Sequence, residues 1–170
     1  PIAARIDRDA AGASLEPFDM PPDAVAGFTG PYRFLSNFWT SPIAMHGETY
    51  PTVEHAFQAA KSIDPADHAR VRAAPSPALA KRIGRSLPLR PDWDAARTPV
   101  MLALVRRKFA RAELAARLLD TGSAPIYELN SWGDQVWGVV PLGGRVRGAN
   151  RLGRILDYVR SELASEAARR

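Results

Sequence analysis

Residues 52–62 read Thr-Val-Glu-His-Ala-Phe-Gln-Ala-Ala-Lys-Ser. Val53, Ala56, Phe57 and Ala60 recur at i, i+3, i+4 and i+7, the spacing of a helix with one apolar face turned to a core. Glu54, Gln58 and Lys61 recur at i, i+4 and i+7 and, at 100° per residue, fall within about 60° of one another. They make a polar stripe beside the apolar one. Two readings of that stripe are open: a solvated helix face, or the lining of a cleft in which a carboxylate stands two turns below an amine. In the first turn the helix dipole favours the ionised form of Glu54. His55 lies on a third face and reads as a structural histidine.

Outward from this helix, punctuation marks the other elements. Upstream, Val25–Phe28, Tyr32–Leu35 and Ile43–Met45 are predicted short strands, with a turn at His46-Gly47-Glu48. Downstream, Asp64-Pro65, Ser76-Pro77 and Thr98-Pro99 each place a capping side chain before a proline at the first helical position. Gly84 and Gly122 stand where helices should stop. A last helix is predicted from Asn150 to Glu162, with Leu152, Ile155, Leu156, Val159 and Leu163 on one face. A further short strand is expected around Val136–Val140. Residues 1–23, broken by Pro17, Pro21 and Pro22, show no sustained period and read as an N-terminal arm or leader, leaving 24–170 as the domain. The predicted fold class is α+β, a helix-dominated single domain with a few short strands.

The composition narrows the chemistry. With 170 residues and a 46% hydrophobic fraction, the chain can build a real core. It has no cysteine, which removes disulfide scaffolds, cysteine nucleophiles and thiolate metal sites together. No apolar run approaches the ~20 residues of a transmembrane helix, and the N-terminus lacks the order of a signal peptide. A cytoplasmic protein without membrane contact is expected. His46, His55 and His68 share no ligand spacing, so no metal is expected. No serine stands in a nucleophile-elbow pattern. The net charge of +5 favours anionic partners. Of 23 lysines and arginines, only Lys61, Lys81 and Lys108 are lysines, the type that can lose its proton and act as a nucleophile.

Three further constellations carry candidate function. Glu128-x-Asn130-x-x-Gly133-Asp134-x-x-Trp137-Gly138 presents a carboxylate and an indole three residues apart between tight turns. The ring could stack on a base while the acid binds sugar hydroxyls or stabilises positive charge at an anomeric carbon. The alternative is a core tryptophan beside an aspartate-capped turn. Arg90-Pro91-Asp92-Trp93 offers either a base-stacking platform or a buried aromatic cover. Gly143-Gly144 and Gly148-Ala149-Asn150-Arg151-Leu152-Gly153 form a glycine-rich entry to the last helix, where backbone amides suit phosphate, although the spacing is not that of a Walker loop.

Taken in order, these pieces resemble the NADAR (YbiA-like) family. The resemblance is carried by Phe34-Leu-Ser-Asn-Phe38, Tyr50-Pro-Thr-Val-Glu-His-Ala-Phe-Gln-Ala-Ala-Lys61, Ala80-Lys-Arg-Ile-Gly-Arg85 and Arg90-x-Asp-Trp93. Lys108-Phe109, Leu119-x-Thr-Gly122, Gly133-Asp-x-x-Trp-Gly138 and Gly148-x-Asn-x-Leu-Gly153 follow, so that it spans about residues 27–163. It implies the YbiA-like fold and an N-glycosidase, a hydrolase acting on the ribose C1–N bond of a ribosylated base. The implied substrate is ADP-ribosyl-guanine, whose removal reverses ADP-ribosylation of nucleic acid, or a phosphorylated intermediate of riboflavin biosynthesis. The partner is then a ribosylated nucleotide or ADP-ribose-type small molecule, or ADP-ribosylated DNA, and no cofactor is needed. By this resemblance Glu54, Lys61 and Asp134 are catalytic, and Asn37, Arg90, Trp93, Trp137, Gly138 and Asn150 bind substrate. The chain departs from the family pattern at Val139–Arg147.

The residues themselves fit that chemistry. Breaking a C1–N bond builds oxocarbenium character on the ribose, which a nearby carboxylate stabilises. A neutral lysine could instead attack C1 and open the sugar through a Schiff base. Burial would lower the Lys61 pKa for that role, while Glu54 would raise it. Two non-enzymatic readings stand beside this one: a module that binds ADP-ribose without cleaving it, and a basic nucleic-acid-binding domain.

Overall fold

The computed structural model describes residues 1–13 and 16–169; Ser14 and Leu15 of the expected leader, and Arg170, lie outside the described residues. In chain order the elements begin with helix α1 (Ile2–Ala13), strand β1 (Val25–Ala26), a 3-10 helix (Gly30–Leu35), and strands β2 (Ile43–Met45) and β3 (Glu48–Tyr50). Helices α2 (Val53–Ala59), α3 (Pro65–Arg72), α4 (Pro77–Gly84), α5 (Trp93–Phe109) and α6 (Ala112–Leu119) follow. Strands β4 (Ile126–Tyr127), β5 (Val140–Leu142) and β6 (Arg145–Arg147) and helix α7 (Arg151–Ala167) complete the order. Helices dominate and every strand is short, as the α+β reading requires. Among the described residues no helix is long and apolar enough to cross a membrane. The chain divides into two compact units, one made of Pro1–Leu35 with Ala112–Arg170, the other of Ser36–Arg111.

In the first unit, α7 is the central element. It buries Leu152, Ile155, Leu156 and Val159, and α1, α6 and β4 all pack on it. Strand β1 runs parallel to β4, with Val25 opposite Ile126 and Ala26 opposite Tyr127. Arg160, on α7, fastens the turn after α6 by donating to Thr121 Oγ1 at 2.7 Å and to the Ala124 carbonyl at 2.8 Å, while a third bond of 2.7 Å reaches Asp157. Burial pushes the Asp157 carboxyl up to about 6, against the opposing pull of Arg160. The β5–β6 hairpin turns through Gly143 and Gly144, both at positive φ, the backbone that two-residue hairpin turns demand.

In the second unit, α2 lies against α3, α4 and α5. The β2–β3 hairpin turns at His46 (φ 51°) and Gly47 (φ 78°), where the sequence predicts a turn. Asp64 and Ser76 cap α3 and α4 as their sequences promise, each followed by proline in the first turn.

Several expectations are corrected. The segment Tyr32–Leu35 is not a strand: it belongs to the 3-10 helix, entered through Gly30 at φ 52°, and its consecutive buried residues Phe34 and Leu35 break a strand's alternation. Strand β1 stops at Ala26 because Gly27 takes φ 74°. Thr98-Pro99 starts nothing. Pro99 sits inside α5, with Thr98 fully buried, where a missing N–H removes one backbone bond from a helix anchored on both sides of it. The strand expected around Val136–Val140 begins only at Val140. The last helix continues past Glu162 to Ala167. Residues 2–13 of the expected arm form a helix that buries Ala3, Ile6 and Ala10 at three- and four-residue spacing, a pattern too alanine-rich to stand out by hydrophobicity. Arg151 ties this helix to α7 by pairing with Asp7 at 3.3 Å.

Because Ile6 is 4% exposed, Ile6→Ala should destabilise the folded chain by ~2–4 kcal/mol in urea denaturation. An unchanged midpoint would return this segment to the status of a loose arm.

Candidate active site

Helix α2 is buried over its whole length, from Val53 to Ala59. The polar stripe is therefore no solvated face. Thr52 caps the helix: its Oγ1 accepts from the His55 backbone N–H at 3.2 Å and lies 2.8 Å from His55 Nδ1. His55 Nε2 lies 3.0 Å from the Ala74 carbonyl. A carbonyl only accepts, so Nε2 carries the proton and Nδ1 accepts from the threonine. Burial lowers the His55 pKa, and the ring is a neutral structural link.

Glu54 stands in the first turn, and its backbone N–H, one of the helix's orphan donors, is taken up by the Asn37 carbonyl at 3.1 Å. Gln58, one turn on, donates through Nε2 to Glu54 Oε1 at 2.7 Å. Lys61 follows the C-cap Ala60, and its ammonium lies 3.5 Å from the Gly84 carbonyl. Its pKa is lowered. Burial is the largest cause, Glu54 opposes it, and the charges of Lys81 and Arg85 on and just after α4 lower it further. The competition left open by the sequence is thus decided by desolvation, reinforced by two neighbouring cations.

Asn37 is buried beside the N-terminus of α2. Its Nδ2 donates to Met101 Sδ at 3.4 Å, and its Oδ1 has no hydrogen-bond partner. Next to it, Lys108 is fully buried and donates to the Ser36 carbonyl at 2.7 Å. Burial pulls this amine down to about 7. Sequence reasoning assigned Lys108 no role at the site, although its rarity as a lysine was the available signal. Lys108 and Met101 rise from one face of α5 and brace the Ser36–Asn37 peptide that receives α2.

Two other expected residues of this unit have different duties. Arg90 makes a bidentate pair with Asp92, at 2.6 and 2.9 Å, closing the turn before α5. Trp93 is buried and packs on Phe57 with ring centroids 5.2 Å apart and planes at 52°. It is the aromatic cover between α2 and α5, not an exposed stacking platform.

The remaining candidates belong to the first unit. Asp134 Oδ1 accepts from the backbone N–H groups of Val136 and Trp137, each at 2.9 Å. Asn130 holds the same loop from inside, donating to the carbonyls of Asp134 and Val139 and accepting from Asp134 N–H. Trp137 is half-buried at its end, and Trp132 is a second, more exposed indole. Gly138 is required by close approach, since a Cβ there would lie 2.2 Å from the Glu128 carbonyl. Asn150 takes a left-handed backbone (φ 49°, ψ 39°) before α7. Its amide donates to the Ile126 carbonyl at 2.8 Å and its oxygen accepts from Glu128 N–H at 3.1 Å, so this side chain joins α7 to β4. Among the described residues no three histidine or acidic side chains gather as a metal site.

A NADAR domain model matches residues 27–164. The chain belongs to the NADAR family. It is 42% identical over 138 residues to the N-glycosidase YbiA of Escherichia coli, covering 79% of this chain and 84% of that protein. The NMR structure of E. coli YbiA superposes with a TM-score of 0.74 at 37% identity, over 89% of this chain and 92% of the other. A riboflavin biosynthesis protein of Vibrio vulnificus is 39% identical over 139 residues, covering 80% of this chain and 37% of the longer relative. The helix-dominated architecture of this NADAR chain is that of YbiA.

Lys108 supplies a test of the buried face. Its amine loses a proton near pH 7 in the folded chain and near 10.5 when unfolded, so between those values the unfolded state holds more protons. Stability contributed at this site therefore rises with pH across that window, by up to ~1.4 kcal/mol per unit. Lys108→Met should lack that part of the slope in urea denaturations between pH 7 and 10. Parallel curves for the two proteins would show that the amine stays charged.

Proposed function

We propose that this NADAR chain hydrolyses the ribose C1–N bond of a phosphorylated, ribosylated base, with Glu54 and Lys61 as its catalytic pair. The observation that carries the reading is a buried carboxylate, Glu54, and a half-buried amine, Lys61, on one helical stripe, where burial lowers the pKa of the amine. Such a lysine is more often the free amine than a surface lysine is, and the free amine is the nucleophile. It attacks C1 while Glu54 stabilises the positive charge that develops there. The C1–N bond breaks, the base departs with the proton released by the amine, and the ring opens to an imine on Lys61. Water then adds to the imine, frees the sugar and restores the amine.

The surroundings support an anionic substrate. Lys81 and Arg85 act on Lys61, which places two cations beside the amine, and a substrate phosphate would balance them. Asn37 Oδ1, buried and unpartnered, suits a ribose hydroxyl. Relatives named for N-glycosidase activity and for riboflavin biosynthesis favour a phosphoribosylamino-pyrimidine. The net charge of +5 favours ADP-ribosyl-guanine in DNA as the second reading. Incubation with each, followed by sugar release, separates them. Binding without release would favour a reader of ADP-ribose over an enzyme.

Glu54→Gln and Lys61→Ala should each lower sugar release at least ~100-fold while the protein stays folded. Lys61→Arg should be as inactive as Lys61→Ala, since it keeps the charge and loses the nucleophile. Borohydride added during turnover should leave a ribosyl adduct on Lys61, readable by mass spectrometry. A fully active arginine variant would sink the imine route. Trp137→Ala should weaken substrate binding about 5- to 150-fold, the range of one lost base stack. Undiminished binding and fluorescence quenching in Trp137→Phe would make that indole a core residue.

A further inference from the structure

Gln58 is 3% exposed and lies between Glu54 and α4. Its two amide atoms are treated unequally. Nε2 donates to the Glu54 carboxylate at 2.7 Å, whereas Oε1 is buried with no hydrogen-bond partner. The orientation is fixed by charge, because an oxygen turned toward Glu54 would face a carboxylate and the N–H must point there instead. Buried polar side-chain atoms are as a rule hydrogen-bonded. This glutamine gives up its acceptor to keep its donor on the carboxylate.

The space for the unpaired oxygen comes from Gly84. A Cβ at position 84 would fall 1.9 Å from Gln58 Oε1, 2.7 Å from Cδ and 2.8 Å from Cβ. Gly84 is the last residue of α4, outside the positive-φ region, so glycine is needed there for room and not for backbone conformation. The same residue's carbonyl lies 3.5 Å from the Lys61 ammonium. One glycine thus meets the amide that touches the carboxylate and also the amine that works with it.

We infer that Gln58 is a positioning residue that holds the Glu54 carboxylate in its working orientation, and that Gly84 is glycine to admit it. The inference rests on the catalytic reading of Glu54 and Lys61 given above. Gln58 touches no reacting atom. It acts through Glu54, and its removal should affect the transition state more than the binding of substrate.

The test is a double-mutant cycle in sugar release from a phosphoribosylamino-pyrimidine, with folding followed by circular dichroism. Gln58→Met keeps the volume and removes the donor. It should lower kcat about 10- to 100-fold, the loss expected for a hydrogen bond to a charged group, with KM changed less than about threefold. In a Glu54→Gln background the same substitution should cost nothing further, because the carboxylate it positions is gone. Gly84→Ala, which displaces the glutamine from a neighbouring helix, should show the same kcat loss and serves alone if Gln58→Met does not fold. The inference is overturned if Gln58→Met keeps wild-type kcat, or if its loss is undiminished beside Glu54→Gln. Wild-type turnover by Glu54→Gln itself would instead overturn the catalytic reading on which it rests.

Discussion

A helix of seven residues with no solvent face must find partners inside the protein for nearly all of its polar atoms, and in this protein that requirement shapes the whole inserted unit. Helix α2 carries Glu54, His55 and Gln58 into the interior. His55 binds the chain after α3 through the Ala74 carbonyl. The orphan N–H of Glu54 is met by Asn37, and α4 ends on a glycine because Gln58 occupies the space beside it. These partners do not follow from the hydrophobic effect, which would fill the same volume better with leucine. Burying polar groups is costly unless they are paired, and the pairing here produces a carboxylate and an amine held in a partly dehydrated place.

Dehydration also separates the lysines. Lys108 is shut away completely, between the Ser36 carbonyl and the Phe109 ring, and burial alone accounts for its lowered pKa. Lys61 is only half-buried, and its pKa reflects desolvation opposed by Glu54 and assisted by Lys81 and Arg85. A group governed by burial alone is fixed in its behaviour. A group balanced among four influences can be shifted by the arrival or departure of one more charge, which suits a residue that meets an anionic substrate.

Much of the fold was legible because its signals are local. Asp64-Pro65 and Ser76-Pro77 fix helix starts through side-chain caps, and His46-Gly47 fixes a hairpin through backbone sign. Thr98-Pro99 carries the same local signal and misleads, since the packing of α5 outweighs one lost backbone bond. The 3-10 helix at Gly30–Leu35 escaped because aromatic, strand-favouring residues were turned by a glycine and a proline. At the site, the stripe of Glu54, Gln58 and Lys61 was visible as spacing, but whether it faced water was not, because burial is settled by residues far along the chain. Trp93 and Asn150 show the converse. Both stand in motifs that the family resemblance marks, yet one is spent on packing and the other on joining β4 to α7.

The parallel pairing of β1 with β4 has a consequence for how the chain comes into being. Its two strands are made about a hundred residues apart, an interval of roughly 5 to 20 seconds on a translating ribosome. Within that interval all of Ser36–Arg111 emerges, and α2 can find α3, α4 and α5 without waiting for anything later. Helix α1 has no such recourse. Its apolar stripe of Ala3, Ile6 and Ala10 must wait for α7, and contacts of such long sequence separation are the slow ones to form. Of the described elements, the one that leaves the ribosome first is thus among the last to be covered.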